Sequence, residues 1–141
     1  MDQPSNLATL EAAYRRWSDS KGDSVDEVLG LFADDIEMRS VLTPDVPHEV
    51  SGTHSGKEEA RAYFEGLLKD WEMLEFVAER FIEGVGGNDL VMIGRCAWRH
   101  RQTGAEVATP KVDIWRFEDG KATLFYELFD SLAFARGVGL V

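Results

Sequence analysis

Three charged side chains stand in rows of hydrocarbon, and any chemistry would start there. Side chains in a strand alternate between faces, so in VDIWRF the acid Asp113 shares a face with Trp115 and Phe117. By the same parity Arg95 lies with Val91, Ile93 and Ala97, and Asp130 lies with Leu124, Tyr126 and Leu128. A carboxyl group desolvated in such a row has its pKa raised unless a cation or hydrogen-bond donors restore the charged form. Arg95 would then decide which acid stays ionised, and two acids pushed apart could act as proton donor and acceptor. Each residue also has a plainer reading. Asp113 fits an exposed or interface position, Asp130 a turn or helix cap, and Arg95 a surface pair with Glu127 or Glu83.

The elements that must position these groups follow from hydrophobic spacing. Leu7, Leu10, Ala13, Tyr14 and Trp17 recur at three and four, which predicts a helix over 6–19. After KGDS, with Ser24 or Asp23 as N-cap, Val25 to Phe32 predicts a second, shorter helix. Ile36 to Leu42 alternates as a strand. Residues 43–55, with two prolines and a glycine, read as a long irregular loop of the kind that often binds or covers. Ser55 to Glu58 resembles a capping box opening a third helix with an apolar stripe of Ala60, Tyr63, Phe64, Leu67, Leu68 and Trp71. Beyond it only strand signals remain, at 75–84, 90–101, 105–117 and 121–131, joined by turn-rich segments short enough for hairpins. The expectation is one α+β domain over 1–141, order ααβαββββ, with three helices on a curved, mostly antiparallel sheet. Strand 90–98 is apolar on both faces. Helices would cover one face; the row of Leu90, Met92, Cys96 and Trp98 is expected to lie outside, covered by a second copy in a homodimer.

Composition narrows the partners. With 15 Lys+Arg against 26 Asp+Glu, the net charge of -11 repels phosphate backbones and anionic lipid heads, so neither nucleic acid nor membrane is expected. A single cysteine, Cys96, allows no intrachain disulfide, which suits a reducing cytoplasm. Cys96 reads as packing, and His48, His54 and His100 as solvated or hairpin-end residues. No Cys/His cluster has zinc spacing, so neither metal nor other cofactor is expected.

The phrases AAYRRWSDSKGD, LFADDIE, SGTHSGKEEARAYF, VDIWRFEDGK and LFYELFD occur in an order that resembles the nuclear-transport-factor-2-like superfamily, in particular its SnoaL-like and ketosteroid-isomerase-like members. The resemblance implies a cone-shaped sheet wrapped around helices, a pocket inside, and commonly a dimer across the sheet. In the isomerases an acid matching Asp113 and a helix-one tyrosine matching Tyr14 donate to a developing oxyanion, a case used as a general illustration of pKa tuning. The isomerase base falls on Ser40, which cannot shuttle protons at neutral pH. LFYELFD also resembles the closing strand of limonene-epoxide hydrolases, which places Asp130 at a pocket position, and in DLVMIGRCA Arg95 matches their pocket arginine, while the hydrolases' second acid falls on Ala97.

These readings combine into an expected small, cofactor-free enzyme acting by general acid–base chemistry on a hydrophobic, oxygenated small molecule. Asp130 is the expected base, Asp113 the acid, and Tyr14 and Arg95 the polar anchors. Trp17, Ser40, Tyr63, Trp115, Tyr126 and Leu128 are the expected substrate contacts. The alternative is a binding module that keeps the pocket without the chemistry.

Overall fold

Ser5 starts the first helix by accepting the Ala8 amide on its hydroxyl at 3.0 Å, and helix α1 then runs from Asn6 to Asp19. The computed structural model describes residues 3–46, 48 and 50–141; Pro47 and Glu49, inside the expected loop, lie outside the described residues. Helix α2 covers Val25–Gly30, shorter than expected, because Phe32 already begins strand β1, Phe32–Ser40. A short strand β2, Thr53–Ser55, pairs back onto β1 inside the segment expected to be irregular. Helix α3 spans Lys57–Asp70. Its N-cap is Gly56 at φ 87°, not a Ser55 capping box; Ser55 ends β2 and donates its amide to the Glu59 carboxylate at 3.1 Å.

Strands β3 (Trp71–Glu83), β4 (Asp89–His100), β5 (Glu106–Glu118) and β6 (Lys121–Phe129) form the expected antiparallel meander. The sheet order is β2-β1-β6-β5-β4-β3, with β1 parallel to β6, giving one six-stranded, mixed, curved and unclosed sheet. The last strand stops two residues early. Asp130 caps a fourth helix, α4, Ser131–Gly137, by accepting the Ala133 amide at 3.0 Å. Among the described residues no helix is long and apolar enough to cross a membrane.

The two faces of β4 are the reverse of the expectation. Leu90, Met92 and Cys96 are buried against the helices, with Trp98 packed on the same core, whereas Val91, Ile93, Arg95 and Ala97 look outward. Parity separates two rows but does not say which row meets the helices. Met92 and Trp98 therefore cannot belong to a contact across the outer face.

Gly94 interrupts the inner row where β3 and β4 slip register, and a Cβ there would sit 2.0 Å from the Val77 carbonyl oxygen. Backbone cannot move aside cheaply. Gly94→Ala should destabilise the fold by about 1–3 kcal/mol. Gly66, in the middle of α3 with open space around it, should instead gain about 0.5–1 kcal/mol as alanine. Urea unfolding of the two variants checks the opposite signs.

Candidate functional site

Strand β5 alternates strictly, with Val107, Thr109, Lys111, Asp113, Trp115 and Phe117 all turned inward and buried. Two of these are opposite charges two residues apart in one row. The β5–β6 register sets Asp113 opposite Glu127, so a second acid joins them from Phe125-Tyr126-Glu127. Lys111 Nζ donates to Asp113 Oδ1 at 2.6 Å and to Glu127 Oε2 at 2.9 Å. Asp113 is 2% exposed, Lys111 and Glu127 7% each.

Helices α1 and α3 each supply one tyrosine to one of these acids. From α1, Tyr14 Oη donates to Asp113 Oδ2 at 2.5 Å and accepts from Trp115 Nε1 at 2.9 Å. From α3, the Tyr63 hydroxyl donates to Glu127 Oε1. The result is a continuous buried chain: Trp115, Tyr14, Asp113, Lys111, Glu127, Tyr63. All four carboxylate oxygens hold a donor, as buried acids require.

The chain forms the polar side of a cavity of about 120 Å³, large enough for several waters or a small ring. Trp17, Phe64, Trp71, Phe76, Trp98 and Phe125 are among the aromatic walls, and Phe134 of α4 adds another. Nζ of Lys111 stands 5.6 Å from the Phe125 ring centre and 5.9 Å from that of Phe129.

Burial raises the pKa of Asp113, Lys111 pulls it back down, and the charge of Glu127 adds to the rise; the net direction is upward. For Lys111 burial works against the ammonium, but Asp113 and Glu127 outweigh it and hold the proton more firmly than usual. The Tyr14 and Tyr63 hydroxyls are pushed well up, by burial first and then by the carboxylate beside each. Cys96 also lines the cavity, and burial pushes its thiol up to about 11, which leaves it protonated and a poor nucleophile.

Of the residues singled out in the sequence, Tyr14, Trp17, Tyr63, Asp113 and Trp115 line this cavity. Five others do not. Arg95 is on the outer face, bound to Glu79 at 2.9 Å and Glu75 at 3.3 Å, so it cannot set the ionisation of Asp113. Asp130 is spent on capping α4 and is exposed. Ser40 and Tyr126 border a separate shallow groove with Thr53 and Pro44, the Ser40 hydroxyl accepting the Leu42 amide at 3.1 Å. Leu128 lies on the outer row with Tyr126. The sequence reading missed Lys111 and Glu127, whose signal was the same parity that singled out Asp113. His54, expected to be solvated, instead packs on the Tyr63 ring at 5.2 Å, and its Nε2 is buried without a partner among the described residues. Among the described residues no three His, Cys, Asp or Glu side chains are grouped to hold a metal ion.

Comparison with known proteins agrees with this fold. The SnoaL-like domain family matches residues 10–125. No curated protein matches the sequence. Among solved structures, a nuclear-transport-factor-2-like protein of unknown function from Burkholderia pseudomallei is 26% identical, with TM-score 0.78 over 95% of this chain and 97% of its own. A putative isomerase from Bacillus subtilis is 14% identical, TM-score 0.79, covering 99% and 96%. A putative polyketide cyclase from Pseudomonas putida is 11% identical, TM-score 0.77, covering 96% and 98%. The last two likenesses concern the fold alone.

Removing Lys111 leaves two buried acids without their cation. Lys111→Met should cost about 3–5 kcal/mol, and adding Glu127→Gln should recover part of it. The acid itself reports the sign of each neighbour: in carboxyl-carbon titrations Asp113 should move further up in Lys111→Met and down in Glu127→Gln. Because its folded pKa lies above the unfolded one, the stability from protonated Asp113 is complete below the unfolded value and is lost as pH rises through the folded value. Asp113→Asn should remove that part of the loss in thermal scans against pH.

Proposed function

The chain belongs to the SnoaL-like domain family, and from that premise we propose that its cavity binds a hydrophobic, oxygenated small molecule and moves a proton on it by general acid–base chemistry. The observation that carries this reading is the buried Lys111–Asp113–Glu127 cluster with a tyrosine on each acid, set into an otherwise aromatic cavity. A fold needs no such cluster. Replacing it by hydrocarbon of similar volume is often neutral or stabilising, so its placement on the cavity wall supports a role toward a ligand.

Asp113 is the favoured proton acceptor, in place of Asp130. Its pKa is raised by burial, which brings a carboxylate closer to the neutral range where a general base works best. Tyr14, whose hydroxyl binds Asp113 Oδ2, holds that carboxylate in place and lies within the same wall. A base of this kind suits removal of a proton beside a carbonyl, the first step of an isomerisation or a ring closure. Names such as putative isomerase and putative polyketide cyclase among proteins of the same fold accord with that class of reaction.

The second reading is a ligand-binding module without turnover, favoured by one feature: every carboxylate oxygen already holds a donor. Kinetics with aromatic and alicyclic ketones, followed by hydrogen–deuterium exchange at the carbon beside the carbonyl, separate the two. Under the enzyme reading Asp113→Asn should lower exchange by about a hundredfold or more with binding little changed. The rate should rise with pH as Asp113 ionises, and Glu127→Gln should move that rise to lower pH, since the Glu127 charge is one of the causes holding Asp113 up. Ketones that bind without exchange in the native protein would leave the binding module standing.

A further inference from the structure

Lys111 carries three N–H bonds, and only two of them have acceptors among the described residues, Asp113 and Glu127. Most of the nearby donors are otherwise committed; the Trp71 indole N–H on the same wall is buried without a partner among the described residues, but it is a neutral donor. Tyr14 and Tyr63 each give their single hydroxyl proton to a carboxylate, Trp115 gives its N–H to Tyr14, and Thr109 donates to the Pro110 carbonyl at 2.8 Å. Lys111 is thus the one cationic donor on the cavity wall with a bond to spare, and it stands beside the Phe125 and Phe129 rings.

We propose that Lys111 is the specificity-determining anchor of the cavity, giving its third N–H to a neutral carbonyl oxygen of the ligand and excluding carboxylate ligands. This rests on the reading of the cavity as the ligand site, and does not require turnover. Two features set the preference. An ammonium donor makes a stronger hydrogen bond than a neutral one and loses most when left unpaired, so a ligand that offers an acceptor gains over one that does not. An anionic ligand meets two acids against one ammonium, both acids within 3 Å of it. It would also surrender its hydration to aromatic walls, which costs far more for a charge than for a carbonyl. A negative charge that develops on the ligand oxygen only after binding, as the ligand loses a proton to Asp113, avoids that entry cost.

Three ring compounds of similar size test the assignment: ethylbenzene, without an oxygen, acetophenone, with a neutral acceptor, and benzoate, with an anionic one. Calorimetry on the intact chain should give acetophenone about tenfold tighter binding than ethylbenzene, and benzoate at least tenfold weaker than acetophenone. The carbonyl stretch of bound acetophenone should fall below its frequency in hexane. In the double variant Lys111→Met, Glu127→Gln the ammonium is gone and the donor that enters at 127 is a neutral amide, so acetophenone should lose most of its advantage while ethylbenzene stays within about twofold. Equal binding of ethylbenzene and acetophenone, an unshifted stretch, or benzoate bound as tightly as acetophenone would overturn the anchor while leaving the cavity as a ligand site. Binding of none of the three would remove the cavity reading and the anchor together. Trp71→Phe removes the neutral free donor and also decides the matter should the double variant fail to fold: acetophenone keeps its advantage there if Lys111 is the anchor, and a lost advantage would overturn the assignment.

Discussion

One buried ammonium between two buried carboxylates sets the terms for the rest of this molecule. Lys111, Asp113 and Glu127 lie on neighbouring strands whose register places the two acids opposite each other. A carboxylate in so apolar a place is tolerated only when its oxygens find donors. The lysine completes one oxygen of each acid, and the other two oxygens need donors from outside the sheet. Those donors are Tyr14 of α1 and Tyr63 of α3. The two helices are therefore fixed to the sheet by polar contacts as well as by packing, at points 99 and 64 residues away along the chain. The cluster specifies where the helices sit, and the space they leave is the cavity.

The same arrangement makes the two acids unequal. Both hold Lys111 and a tyrosine, but the tyrosine on Asp113 is itself held by the Trp115 indole, which draws on the hydroxyl and stiffens that half of the chain. Asp113 is the more deeply buried, and its proton affinity is raised by burial against the pull of Lys111. Unequal environments around paired titratable groups are how acid and base roles become divided within one site.

The sequence made the fold and one half of this site legible. Helix periodicity placed α1 and α3, and turn chemistry placed the four hairpin strands, because both signals are local. Asp113 was visible as an acid in an aromatic row. Lys111 stood two positions earlier in that row, yet a lysine in a strand usually carries its ammonium out to water, and nothing local says that a carboxylate will meet it across the sheet. Glu127 is flanked in its row by Phe125 and Phe129, but its partners are set by tertiary register. Arg95 shows the complementary error: its row was apolar enough to suggest a pocket, but both rows of β4 are apolar, and only the packing of α1 and α3 decides which one is inside. Arg95 ended among Glu75 and Glu79 on the outside.

Asp130 was legible as chemistry and turns out to act on the cavity at one remove. Its side chain caps α4, and its amide is held by the Thr109 hydroxyl at 2.7 Å. This joins the start of the helix to the strand that carries Lys111 and Asp113. At the far end of α4, Gly137 lies so near β5 that a Cβ would meet Val107 at 2.3 Å. Between these two contacts Phe134 is held against Trp71 and Phe129, where it closes part of the cavity wall. A helix of seven residues has little stability of its own. Its cap and its docking must supply it, so the closure of the cavity depends on a carboxylate that never enters it. An acid at a strand end next to a serine reads equally well as a base or as a cap, and only the seven residues that follow, with their small Gly137 at the contact, tell the two apart.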